Sequence, residues 1–144
     1  MQQQQQQQQR WLRFEHGGET GFGTLEGDAV HEHRGNMFDR PEPTGRVFLL
    51  SGVRLLTPAE PTKVIALWNN FHALGEKLKL AVPAEPLYLL KAPNSYLAPG
   101  APIRKPLCEG KVVFEGELGI VIGKACTAVS EADALGHVFG YTCA

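Results

Sequence analysis

The chain reads as a mixed α+β, β-rich protein, with a small N-terminal β domain ahead of a larger domain in which strands are interrupted by short helices. Three observations predict this. Apolar and polar residues alternate through 11–16, 22–26 and 29–33, with glycine at the connections. Short apolar runs at 47–50, 53–56, 63–68, 87–91 and 111–124 are punctuated by proline and glycine. Helical spacing is confined to 71–80 and to a short stretch after Ser130.

Composition sets the bounds. With 43% hydrophobic and 20% charged residues in 144, the chain can build an ordinary globular core. A net charge of -1 with mixed signs leaves no basic footprint for nucleic acid and no polybasic membrane segment. No apolar run reaches the length of a membrane span, and glutamines stand where a signal peptide would begin, so the cytoplasm is the expected compartment. Cys108, Cys126 and Cys143 are odd in number and lack a CxxC pairing; they are expected to be reduced packing residues.

Residues 1–9 form a low-complexity glutamine tail outside the fold. Residues 10–58 are the small β domain. Trp11, Arg13 and Glu15 share one row of the first strand, and Leu12, Phe14 and His16 the other. Glu26-Gly27-Asp28 is a turn between the next two strands. His31 and His33 fall on one strand face, which is either a metal pair or an ordinary exposed polar row; the exposed row is the expectation. Residues 40–45, rich in proline and charge, are expected to be a loop, and Thr57-Pro58-Ala59-Glu60-Pro61 a linker.

Residues 59–144 make the second domain. A strand at 63–68 leads to Asn69-Asn70, which offers a cap for a helix over 71–80 with Phe71, Leu74 and Leu78 as its buried stripe. His72 and Glu76 stand one turn apart on another face, where the carboxylate could orient the imidazole and raise its basicity. The competing reading is an exposed pair contributing about 0.2–0.5 kcal/mol. The proline-rich loop at 92–102 follows a strand, and Lys91 and Ser95 at its start could contact an anionic substrate, although a lysine at a strand end is commonly just solvated. Ser130 and Asp133 form a capping box for a helix reaching about His137, and a last strand begins at Phe139.

The 111–124 run carries the chemistry. Glu115 and Glu117 lie two apart, so they project to one face with Val113, Gly119 and Val121; Val112, Phe114, Leu118, Ile120 and Ile122 make the face expected to be buried. Alternating glutamates ordinarily mark a solvated face. Alternatively, two carboxylates about 7 Å apart repel unless a cation or a shared proton separates them, and hard oxygen donors suit Mg2+, Mn2+ or Ca2+.

Taken in order, Phe114-Glu115-Gly116-Glu117-Leu118, Val121-Ile122-Gly123-Lys124, Val129-Ser130-Glu131-Ala132-Asp133-Ala134 and Gly140-Tyr141-Thr142 closely resemble the fumarylacetoacetate hydrolase family. Leu90-Lys91-Ala92-Pro93-Asn94-Ser95 and Gly100-Ala101-Pro102-Ile103 resemble its preceding segments. The bacterial members it is most similar to are 2-hydroxyhepta-2,4-diene-1,7-dioate isomerases and related decarboxylases. The resemblance implies a β-roll or sandwich catalytic domain, a homodimer, and Glu115 and Glu117 as ligands of Mg2+ or Mn2+. It also implies a small oxo-acid substrate, isomerised or decarboxylated through a metal-stabilised enolate.

Two departures shape these expectations. The family's third ligand is an Asp in an Asn-Asp pair directly after the Gly-Tyr-Thr strand, where this sequence stops at Ala144. Hydrolytic members carry a catalytic His three residues before the Glu; with Glu76 at the Glu position, Ala73 stands at the His position and His72 is one residue early. That favours isomerisation or decarboxylation over C–C hydrolysis of an acylpyruvate or fumarylacetoacetate-type acid. An expectation of another class is a non-catalytic fragment or split subunit.

Overall fold

A computed structural model describes residues 8–144. The glutamine tail lies almost wholly outside the described residues. The chain forms two compact units, one built from the segment ending at Ala59 together with Ala98–Ala144, the other from Glu60–Leu97.

In the first unit β1 (Arg10–His16), β2 (Glu19–Glu26), β3 (Ala29–Asn36), β4 (Asp39–Leu49) and β5 (Arg54–Leu55) form an antiparallel sheet ordered β4-β3-β2-β1-β5. The β1–β2 hairpin turns on Gly17 and Gly18 at φ 61° and 85°, the two positive values that a tight right-twisting hairpin requires. Glu15 fastens this corner: its carboxylate accepts the Gly18 N–H at 2.9 Å and the Arg54 guanidinium at 2.9 Å. Those two bonds, Gly18 foremost, hold its carboxyl below the ordinary 4.5.

The sheet is strongly coiled. Phe48 on β4 and Phe14 on β1 stand three strand steps apart, which spans roughly 14 Å in a flat sheet, yet their rings are 5.3 Å apart. Coiling closes the sheet over its own apolar face, and Phe14, Val30 and Met37 are the buried apolar residues among those described.

Residues 40–45 are not a loop but part of β4. Pro41 and Pro43 fit there because β4 is an edge strand whose outward N–H groups need no partner, and the pairing with β3 is irregular on either side of the His33–Pro43 pair. The histidine face is only half exposed: His33 packs its ring 5.0 Å from Trp11 and sets Nδ1 3.0 Å from the His31 carbonyl, while His31 stands 3.7 Å from Glu26.

The same unit contains β8 (Leu118–Ile122) and β9 (Val138–Cys143), paired antiparallel, with α2 (Glu131–Ala134) between them. Ser130 caps α2 as expected, its Oγ accepting the Asp133 N–H. Phe139 on β9 meets Trp11 at 6.1 Å and Phe38 edge-on at 4.9 Å, so β9 is held against the N-terminal sheet. The strand expected over 111–124 is regular only from Leu118 to Ile122, and Val112 and Phe114 are exposed. The three cysteines are free but exposed rather than packed.

In the second unit β6 (Val64–Trp68) pairs antiparallel with β7 (Leu87–Lys91), and α1 (His72–Leu78) lies between them in the chain. The expected cap is absent: Phe71 occupies the N-cap position without a side-chain bond to the helix. The expected stripe is also open, with Phe71, Leu74 and Leu78 at 55%, 41% and 55% exposure. The helix instead buries Gly75, because the Asn69 side-chain oxygen lies against it from the turn out of β6 and the Leu80 carbonyl from beyond the helix end.

Two outcomes follow for the first unit. Above pH 4.5 the lowered Glu15 carboxyl contributes stability that disappears as pH falls through its folded value, so Glu15→Gln should melt below the parent at pH 7 and converge with it in acid. Phe14→Ala should cost about 3–5 kcal/mol in urea unfolding followed at Trp11 in a Trp68→Phe background, against less than about 0.5 kcal/mol for exposed Leu49→Ala in the same unit.

Candidate functional site

The chemistry-bearing residues distribute over both units, and each group is built by local backbone rules. At the head of β8, Glu117 exchanges two hydrogen bonds with Ala144: its N–H donates to the Ala144 carbonyl at 2.8 Å, and the Ala144 N–H donates back at 3.0 Å. This reciprocal pair closes the ladder that runs Leu118 against Cys143, Gly119 against Thr142 and Ile120 against Tyr141. Glu117 therefore shares its face with Gly119 and Val121.

That face is the inner one. Gly119 and Val121 are half-buried, whereas Leu118, Ile120 and Ile122 are 63%, 55% and 53% exposed, the reverse of the expected burial. The reason is visible on β9: Thr142 and Phe139 fold over Gly119 and Gly123, where an added Cβ would come within 2.7 Å of the Thr142 methyl and 2.8 Å of Phe139 Cβ. No described residue buries the other row.

Glu115 lies just before β8 in a segment without regular pairing, and both glutamates are exposed. As donors they are two hard carboxylates two residues apart, a set that fits Mg2+ or Mn2+ and leaves most coordination positions to other groups. Among the described residues no third His, Cys, Asp or Glu completes a cluster with them.

In the second unit His72 opens α1 and Glu76 follows one turn later, both exposed and not joined by a hydrogen bond. They line a hollow of about 360 Å³ together with Asn69, Asn70, Gly75 and Glu85. Sequence reasoning missed Asn69 as a hollow residue; the signal was present in an Asn pair directly after a strand, read only as a cap. Lys91 ends β7 with an exposed side chain, while its carbonyl accepts the Tyr96 hydroxyl at 3.3 Å. Ser95 closes the Pro93–Ser95 turn, and its Oγ donates to the Ala92 carbonyl at 2.7 Å, so its remaining capacity is as an acceptor.

Comparison with known proteins divides the chain in sequence. Residues 9–58 match the family model Rv2993c-like, N-terminal, and residues 63–144 match Fumarylacetoacetate (FAA) hydrolase C-terminal. Protein Rv2993c of Mycobacterium tuberculosis is 40% identical over 105 residues, 73% of this chain and 40% of that protein. Oxaloacetate tautomerase fahd2, mitochondrial, of Xenopus laevis is 39% identical over 97 residues, 65% of this chain and 30% of that one. The crystal structure of 2-hydroxyhepta-2,4-diene-1,7-dioate isomerase from Mycobacterium marinum superposes with a TM-score of 0.81 at 33% identity, covering 94% of this chain and 53% of that chain. The chain thus spans less than half the length of these two sequence relatives and about half of the solved structure.

The glycine on the inner face gives a direct test of the strand pairing. Gly119→Ala should lower the melting midpoint by the equivalent of about 1–3 kcal/mol through the clash with Thr142, and Thr142→Ser, which removes the offending methyl, should restore most of it in the double variant.

Proposed function

Because the chain belongs to the fumarylacetoacetate hydrolase family, we propose that it supplies the metal-binding strand of a divalent-metal-dependent enzyme, working within a protein of its relatives' length. The reaction is isomerisation or decarboxylation of a 2-oxo or 2-hydroxy-dienoate acid. The observation that carries this reading is the pair Glu115 and Glu117 at the head of β8, with Glu117 fixed against Ala144 by two backbone bonds.

Glu115 and Glu117 would hold Mg2+ or Mn2+, which when bound supplies Lewis acidity toward the 2-oxo group of the substrate. The remaining roles belong to side chains of this chain. His72 moves the proton between carbon and solvent at its imidazole, and Glu76, one helical turn away, orients the ring. Lys91 offers charge to a substrate carboxylate, and Ser95 accepts a hydrogen bond from a substrate hydroxyl. C–C hydrolysis requires the family's water-activating pair, and with Glu76 at the Glu position Ala73 stands where its His would be, which favours the branches without water. The same reading includes a homodimer in the complete enzyme and a small β domain over residues 10–58 ahead of the catalytic domain that begins at residue 59.

Mn2+ or Mg2+ at roughly 100 times its dissociation constant should raise the melting midpoint by several degrees, about 2.7 kcal/mol of stabilisation. Glu115→Gln and Glu117→Gln should each abolish the shift. A melt unmoved by metal in the parent protein, or moved equally in both variants, would overturn the assignment. Product carbon count then separates the branches: unchanged for isomerisation, one carbon lost as CO2 for decarboxylation, and two fragments for hydrolysis.

A further inference from the structure

We propose that Asn69 is a positioning residue that locks helix α1, and with it His72 and Glu76, onto the end of β6; its importance for catalysis rests on the roles given to those two residues above. Three observations converge on this side chain. Asn69 sits in the left-handed backbone region at φ 52°, a conformation that asparagine tolerates better than other non-glycine residues and that turns the chain sharply out of β6. Its Nδ2 donates to the Ala81 carbonyl at 3.0 Å, reaching across twelve residues to the segment that leaves α1. Its Oδ1 stands 3.1 Å from the place a Cβ would occupy on Gly75, the one buried residue of the helix.

The far end of α1 is shaped to meet this contact. Lys79 takes the left-handed conformation at φ 55°, its N–H bonds the Glu76 carbonyl at 3.1 Å, and the Leu80 N–H bonds the Gly75 carbonyl at 2.9 Å. This closing motif ends the helix within two turns and delivers Ala81 to the Asn69 amide. One side chain therefore holds both the entry and the exit of α1, and its oxygen lies in the notch that Gly75 leaves open. With no side-chain cap at Phe71 and with the apolar stripe exposed, the helix has little else to fix it.

The residue type follows from these demands. Aspartate keeps the backbone preference but, when ionised, turns an acceptor toward the Ala81 carbonyl; glycine keeps the backbone and removes the tie. Gly75→Ala keeps the tie and fills the notch.

The test is NMR on the whole 144-residue chain, reading the His72 ring resonances, the Val82 amide as a reporter on the Ala81 carbonyl, and the β6 and β7 amides as controls. In Asn69→Gly and Asn69→Asp at pH 7 the Val82 amide and the His72 ring lines should move or broaden, while the β6 and β7 amides stay within their parent positions. Gly75→Ala should move the His72 lines with a smaller effect on Val82. At a pH low enough to protonate the introduced carboxyl, Asn69→Asp regains a donor, and its Val82 amide should return toward the parent measured at the same pH. Unchanged His72 lines in both Asn69 variants, even with a lowered melting midpoint, would overturn the proposal and leave Asn69 merely stabilising. If one variant fails to fold, the remaining two decide the matter by the same lines. Full turnover in His72→Ala would refute the catalytic role of His72 without touching the spectra, so the two failures are separable.

Discussion

The antiparallel register of β8 against β9 is the constraint on which the placement of Glu117 depends. Pairing of Gly119 with Thr142 and of Glu117 with Ala144 fixes which side chains share a face, and a slip of one residue would transfer Glu117 to the other face. The register is held sterically as well as by hydrogen bonds. Gly119 and Gly123 leave the space into which Thr142 and Phe139 fold over β8, so a side chain at either position would press against them. Specificity here comes from residues that are absent at Cβ, not from large apolar contacts.

The N-terminal sheet works by different means. Its hairpins are short, its turns are set by backbone conformation, and its coil brings Phe14 and Phe48 together so that a few large residues close a small core. Arg46 adds its guanidinium 5.0 Å from the Phe48 ring, an attraction of about 0.5–1 kcal/mol at an exposed site. Small sheets of this kind bury little area for each ordered residue, so corner contacts such as that of Glu15 with Gly18 and Arg54 matter in proportion.

Local patterns made much of this legible. Alternation and glycine turns located β1, β2 and β3, and Ser130 with Asp133 located α2, because those signals act within a few residues. Where burial decides, the pattern misled. Two prolines argued against a strand at 40–45, yet an edge strand has free N–H positions to accommodate them. Leu118, Ile120 and Ile122 read as the buried row because they are apolar, although Thr142 and Phe139 cover the opposite one. The apolar spacing of Phe71, Leu74 and Leu78 promised a packed stripe, whereas the helix is seated on Gly75 through Asn69, a contact that only the fold can bring together. For the candidate site, the glutamates were legible as a pair from their spacing, and their assignment to a metal came from the family pattern.

The matched segments at 9–58 and 63–144 divide the chain in sequence, but the packing does not respect that division. Phe139, in the second segment, lies 6.1 Å from Trp11 and 4.9 Å from Phe38, both in the first, and Trp11 is in turn backed by Phe22 at 6.3 Å and by His33 at 5.0 Å. Aromatic pairs at such distances contribute about 0.5–1.5 kcal/mol each beyond the area they bury, and this set acts on the first turn of β9 where the strand begins. The hairpin is thus anchored at one end by rings from the sheet and closed at the other by Glu117 and Ala144. A β-ribbon of two strands is marginal in isolation, so the sheet's hold on Phe139 is what gives β8 a rigid partner, and through it Glu117 a defined backbone.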